Sequence, residues 1–232
     1  MPVGGIHNGD LGRTRKRLDD AKTWKRQRVI VIIPAGEAIP TKVYLTHCNL
    51  AFPPNNGVVR MPAVGMEVGE AYSTAIEQIL LHPELSTWEY ILTLEHDNMP
   101  PADGVLKLVE RMEANQKYAC IGGLYFTKGY GGVAQIWGDP SDPVMNFRPQ
   151  LPDPGGGLVE CNGTGMGFNL WRLKTFKDKK LRKPWFKTLK GDQGMASQDL
   201  YFWMDAKKYG YRCAIDCSVR VGHYSLQDDT VW

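Results

Sequence analysis

The sequence predicts an α/β fold, a mostly parallel central sheet with helices on both faces, and three observations carry that reading. First, three apolar runs, residues 29–33 (Val-Ile-Val-Ile-Ile), 90–94 (Tyr-Ile-Leu-Thr-Leu) and 118–126, have the near-continuous hydrophobicity of strands buried on both faces. Second, helical spacing lies between them, at Ala75, Ile76, Ile79 and Leu80, and again at Val105, Leu106, Leu108, Val109 and Met112. Third, strand and helix alternate through this half of the chain, the order that builds a parallel sheet.

The first strand ends in Pro34-Ala35-Gly36-Glu37, a loop of the kind that receives a nucleotide at the carboxyl end of a sheet. Residues 41–50 are mixed and compatible with a helix, residues 52–57 (Phe-Pro-Pro-Asn-Asn-Gly) form a turn cluster, and residues 58–61 form a short strand bearing Arg60. Residues 65–72 lead through two glycines and two acids, Glu67 and Glu70, into the first strongly apolar helix. The second follows Pro100-Pro101, with a proline suited to a helix start. Residues 127–157 change character, rich in Gly, Pro and Asp with Trp137 embedded, and a loop of that length in a compact domain is usually functional. A strand at 158–162 runs into Gly163-Thr164-Gly165-Met166-Gly167, whose glycines offer a backbone surface for a sugar or phosphate or serve turn and strand packing. Trp185-Phe186 sits among basic residues, where it either stacks a sugar ring or fills the core. A helix opens at Ser197-Gln198-Asp199, with Leu200, Trp203 and Met204 expected inside, and ends on Lys207-Lys208-Tyr209-Gly210 with cations last and glycine as cap. A short strand at 211–216 precedes Gly222-His223-Tyr224.

Composition bounds the function. The chain has 232 residues, 43% apolar and 23% charged, enough for one sizeable core. A net charge of +3 does not by itself require a nucleic-acid partner, but the basic residues cluster at 13–28 and 174–190. Residues 1–28 are therefore read as a basic N-terminal extension and 29–232 as a single domain. The five cysteines form no Cys-x-x-Cys pair, which excludes a zinc knuckle and leaves no disulfide framework. No run reaches membrane-spanning length, and residues 1–10 have no apolar signal segment, so a reduced, cytoplasmic protein that does not engage a membrane is expected.

The stretch on which chemistry centres is Glu95-His96-Asp97, at the end of the run 90–94. Side chains alternate along extended backbone, so Glu95 and Asp97 share a side. Two hard oxygen ligands on one side suit Mg²⁺ or Mn²⁺, which in turn holds a diphosphate.

Taken in order, these parts resemble a GT-A glycosyltransferase over roughly residues 29–224. The resemblance rests on the opening strand with Ile33-Pro34-Ala35-Gly36, the segment from Arg60 through Gly65 to Ala71, and the acidic pair Glu95/Asp97 in the Asp-x-Asp position. It continues through Gly163-Thr164-Gly165, Gln198-Asp199 at a helix start, and Gly222-His223-Tyr224. It implies a three-layer GT-A fold and a metal-dependent transfer of sugar from a UDP- or GDP-sugar. Asp97, His223 and Glu95 are then the ligands of a divalent cation, Mn²⁺ or Mg²⁺. Pro34, Ala35, Gly36, Glu37, Arg60, Glu95 and His96 hold the donor nucleotide. Asp199 acts as general base, kept ionised by the helix dipole, and Gly163, Thr164, Gly165, Trp137, Trp185 and Gln198 face sugar or acceptor. Glu95 departs from the family's first Asp, which leaves ribose or a metal-bound water as its alternative partner to the ion. Gln198 stands where the family often has Glu, which leaves inversion against retention open. The acceptor is open among small glycans, proteins and a hydroxylated base in DNA. A nucleotidyltransferase of similar fold is the first alternative, ranked lower because residues 34–37 carry no Lys or Arg. A non-catalytic sugar-nucleotide binding module is the second.

Overall fold

The structure is a computed structural model that describes residues 27–191 and 194–232, together with residues 12, 13, 16 and 20. Most of the basic extension expected over residues 1–28 lies outside the described residues. Its end does not: Gln27 is buried, and Arg28 forks onto Glu89 with Nη2–Oε1 at 2.9 Å, so the fold already begins there.

A seven-stranded sheet organises the chain. Its strands are β1 (Val29–Ala35), β2 (Val58–Val64), β3 (Tyr90–Leu94), β5 (Cys120–Leu124), β7 (Leu158–Cys161), β9 (Phe168–Arg172) and β12 (Cys213–Arg220). The spatial order is β2-β1-β3-β9-β5-β12-β7. β2, β1 and β3 pair in parallel, as do β5 and β12, while β9 runs antiparallel between β3 and β5 and β7 runs antiparallel at the far edge. The sheet is thus mixed but mostly parallel, with five strands pointing one way. Pro62 is tolerated because β2 is an edge strand that needs no second ladder.

Alternation along each strand splits the core into two layers. Ile30, Ile32, Ile91 and Trp171 face one side, where helix α2 (Val68–Leu81) brings Tyr72, Ile76 and Ile79 and helix α4 (Gln198–Ala206) brings Phe202 and Trp203. Val29, Val31, Leu92, Leu94 and Leu170 face the other side, against Val105, Leu106, Leu108, Val109 and Met112 of helix α3 (Gly104–Ala114). The result is a three-layer α/β fold with helices on both faces. The first layer is largely aromatic: Trp171 stacks on Trp203 at 5.3 Å and Phe186 on Phe202 at 5.1 Å. Met204, expected inside, is 42% exposed, and Phe202 takes the inward position in its place.

β9 is the element the sequence hides. Its Asn169 crosses β5 so closely that a Cβ on Gly122 would lie 1.9 Å from Asn169 Oδ1, and only glycine fits there. A second small element matters for the site. Despite the prolines that follow, residues Asn98–Met99 form a two-residue strand, β4, paired antiparallel with β13 (Gly222–Ser225), which in turn pairs with β14 (Thr230–Val231). Helix α1 (Thr41–Cys48) sits beside this patch, with His47 Nε2 donating to Asn98 O at 2.9 Å. Two further short pairs complete the described residues, β6 (Ile136–Trp137) with β8 (Gly163–Thr164), and β10 (Leu189–Gly191) with β11 (Gly194–Ala196). Among the described residues no helix is long and apolar enough to cross a membrane.

Candidate functional site

The site lies at the carboxyl end of β3, where the chain leaves the sheet and is caught by β13. The pairing places His223 opposite Asn98, and Tyr224 N donates to Asp97 O at 2.7 Å. Backbone hydrogen bonding between segments more than 120 residues apart therefore brings two side chains together: His223 Nε2 is 3.4 Å from Asp97 Oδ2. His223 Nδ1 donates to Phe126 O at 2.7 Å, which fixes the ring and leaves Nε2 facing the carboxylate. In a neutral imidazole that nitrogen bears a lone pair. A lone pair opposite a carboxylate oxygen at this distance needs a positive charge between or beside them.

A third group, which sequence reasoning missed, stands on the same oxygen. Lys128 Nζ is 2.6 Å from Asp97 Oδ2. Burial alone would raise the Asp97 pKa, but the hydrogen bonds and charges of His223 and Lys128 outweigh it and hold the carboxyl well below the ordinary carboxylate range.

Glu95 has the opposite balance. Its residue is only partly covered, yet the carboxyl is packed among enough protein atoms that desolvation dominates. With the negative charges of Asp97 and Asp199 nearby, its pKa is pushed up to about 8, against a weaker opposing hydrogen bond from Tyr72. Tyr72 Oη donates to Glu95 Oε1 at 3.3 Å. At neutral pH and with no cation beside it, Glu95 is largely protonated, and a neutral carboxyl can donate to a hydroxyl or water. Asp199 is buried at the start of α4, and burial raises its pKa despite hydrogen bonds from Ser197 and from Leu200 N, the latter 2.9 Å from Oδ1. The helix start was expected to hold Asp199 ionised with modest basicity; desolvation here works the other way and makes the carboxylate more basic.

The remaining sequence-predicted residues divide. Pro34 and Ala35 are buried at the end of β1, while Gly36 and Glu37 are exposed just beyond it. Arg60 is exposed on β2, its guanidinium 5.2 Å from the centre of the Phe52 ring, and His96 is half-buried between the two acids. Gln198 is half-buried at the first position of α4, and Trp137 is half-buried with Nε1 donating to Gln135 Oε1 at 3.1 Å. Four residues expected at sugar or acceptor lie inside the protein. Gly163, Thr164 and Gly165 are buried, and a Cβ on Gly165 would lie 2.3 Å from Tyr125 Oη and 2.7 Å from Gln135 Oε1, so this backbone meets protein where a ligand was expected. Trp185 fails more plainly. It is 1% exposed, edge-on to Phe176 at 5.7 Å with the Lys183 ammonium 4.5 Å from its ring centre, and no sugar can reach that face.

Asp97 and His223 are the two side chains here that could share a cation. Among the described residues no group of three or more His, Cys, Asp or Glu is arranged to hold a metal unaided. One carboxylate oxygen and one oriented imidazole nitrogen leave several positions for phosphate oxygens and water, as Mg²⁺ prefers. Two open cavities, of about 490 and 550 Å³, lie elsewhere, along α2 and residues 176–187, and neither is lined by Asp97, His223 or Asp199.

No protein-family model matches the chain, and no curated protein sequence matches it either. Among solved structures, protein A197 from STIV is similar in fold: TM-score 0.61 at 18% identity, over 88% of this chain and 92% of that one. A chain assigned as a glucose-1-phosphate thymidylyltransferase of Bacillus anthracis, solved with a sucrose, also aligns, over 84% of this chain and 89% of its own. At 13% identity and a TM-score of 0.43 that second superposition is too loose to argue from.

Proposed function

We propose that this chain is a glycosyltransferase of GT-A type, moving a sugar from a nucleoside-diphosphate sugar to an acceptor hydroxyl. The observation that carries the reading is the convergence of Asp97 and His223 at the tip of the sheet, 3.4 Å apart, with the buried Asp199 close enough to Glu95 to perturb its ionisation. A diphosphate leaves readily only when its charge is neutralised. Asp97 and His223 would hold a divalent cation, Mn²⁺ or Mg²⁺, whose Lewis acidity supplies that neutralisation. Glu95, as a neutral carboxyl backed by Tyr72, donates to a donor hydroxyl. Asp199 takes the proton of the acceptor hydroxyl as it attacks the anomeric carbon, a task that its raised basicity suits. Residues 34–37 and Arg60 receive the nucleotide, UDP or GDP.

Nucleotidyl transfer ranks second, because the loop after β1 brings no cation to a triphosphate. The acceptor stays a matter of class: the exposed lysines 174, 177, 179, 180 and 187 would suit an anionic polymer such as hydroxylated DNA.

The test is incubation with a panel of UDP- and GDP-sugars and Mn²⁺, read as slow release of free nucleoside diphosphate. One donor is expected to be hydrolysed, with the rate lowered at least about 100-fold in Asp97→Ala and in His223→Ala. Release from no donor, or unchanged rates in both variants, overturns the reading.

A further inference from the structure

The Asp97 oxygen that a cation would use already carries a positive charge. Lys128 Nζ sits 2.6 Å from it, with the lysine side chain 36% exposed and the aspartate 20% exposed. A half-open ion pair of this kind contributes little to stability, about 0–1 kcal/mol, so the fold does not depend on it.

The loop that delivers Lys128 is held at its root and turns tightly beyond it. At the root, residues 126 and 134 form an antiparallel bridge, Thr127 N donates to Val133 O at 2.9 Å, and Val133 N donates to Thr127 Oγ1 at 2.9 Å. The same root carries the Phe126 carbonyl that orients His223. Past it come Gly129 and Gly131 with φ of 99° and 74°, a turn that only glycine adopts without strain. Tyr130 at the tip is fully exposed, its ring edge-on to Trp232 at 5.6 Å.

The electrostatics give Lys128 a task. Asp97 and Asp199 make the tip of the sheet unfriendly to a diphosphate, which brings further negative charge. The cation nearest to them is an ammonium on a flexible four-carbon stem, able to exchange one oxyanion for another across a short distance. A lysine acts on phosphate as a point charge and needs no bidentate geometry.

Resting on the sugar-transfer reading, we propose that Lys128 is the residue that contacts the donor diphosphate. In the resting protein it neutralises Asp97. When the donor arrives it passes to the phosphate oxygens and leaves the Asp97 oxygen free for the accompanying cation. Lys128 is thereby a donor-binding residue and a charge placeholder at one oxygen.

The test uses binding, with UDP and GDP against UMP and GMP as probes, measured calorimetrically in the presence of EDTA. Wild-type protein is expected to bind one diphosphate roughly tenfold or more tighter than the matching monophosphate. Lys128→Met is expected to lose that margin with monophosphate affinity unchanged, and Lys128→Arg to keep part of it. In a second measurement, Mn²⁺ alone, followed by electron paramagnetic resonance, is expected to bind Lys128→Met more tightly than wild type, because the competing charge is gone. A merely structural lysine moves neither quantity. An unchanged diphosphate margin in Lys128→Met, or Mn²⁺ bound no more tightly, overturns the proposal. Failure of the wild-type protein to bind either diphosphate in EDTA overturns this proposal alone, because the sugar-transfer reading stands or falls on release of nucleoside diphosphate in the presence of Mn²⁺.

Discussion

Trp185 illustrates how environment decides a side chain's role. A Trp-Phe pair beside lysines has the composition of a sugar platform, and sequence cannot tell that from a core pair. Here Trp185 lies within the aromatic layer under the sheet, against Phe176, with Lys183 covering its outer face. Trp185→Ala should therefore lower stability by about 3–5 kcal/mol, measured by urea denaturation, as for other buried aromatics. A sugar-stacking residue would instead weaken donor or acceptor affinity and leave the unfolding midpoint in place. The same physics separates the three acids of the site. Asp97 is anionic because Lys128 and His223 reach it, Glu95 is protonated because desolvation and two neighbouring acids act on it, and Asp199 is made more basic by burial. None of these differences follows from the residue types. All depend on which neighbours the fold brings within a few ångströms.

At the level of elements, the site is built by β4 and β13, each too short to be read from periodicity. Residues 90–94, the helices at 68–81, 104–114 and 198–206, and the glycine stop at 210 are legible because their apolar spacing and caps agree with the tertiary fold; Gly210 indeed adopts φ of 79°. β9 is not legible, since the glycines ahead of it at 163, 165 and 167 read as loop and its five residues lack polar alternation. That segment carries a constraint of its own. Gly167 O accepts from Glu95 N at 3.0 Å, and a Cβ on Gly167 would lie 2.4 Å from Oδ1 of the fully buried Asn98. The Asn98 amide must shift within its buried site, and Asp97 is its neighbour. Gly167→Ala should therefore cost about 1–3 kcal/mol in thermal or urea unfolding and slow donor hydrolysis with it. A variant as stable and as active as the parent would show that β4 is not held from this side. Lys128 was missed for a different reason: a lysine in a glycine-rich loop carries no sequence signal of its partner, and Asp97 is 31 residues away.

Across the whole molecule, the fold was foreseeable as a class and not in its strand order. Alternating strands and helices suggest a parallel sheet, whereas the chain inserts β9 antiparallel at the centre and closes the far edge with β7. This arrangement sets β3 beside β9, and β13 returns from β12, the strand just inside the far edge, to pair with β4 past the carboxyl end of β3. The meeting of Asp97, His223 and Lys128 is a consequence of that topology, while two open cavities lie along α2 and residues 176–187. The most direct measurement is paramagnetic broadening by Mn²⁺ with UDP or GDP, followed in the amide resonances of isotopically labelled protein. Selective broadening of Asp97, Asn98, His223 and Tyr224, weakened in Asp97→Ala, is the expected result. Sharp signals at those four residues while residues 177–187 broaden would place the nucleotide elsewhere and contradict a site at the tip of β3.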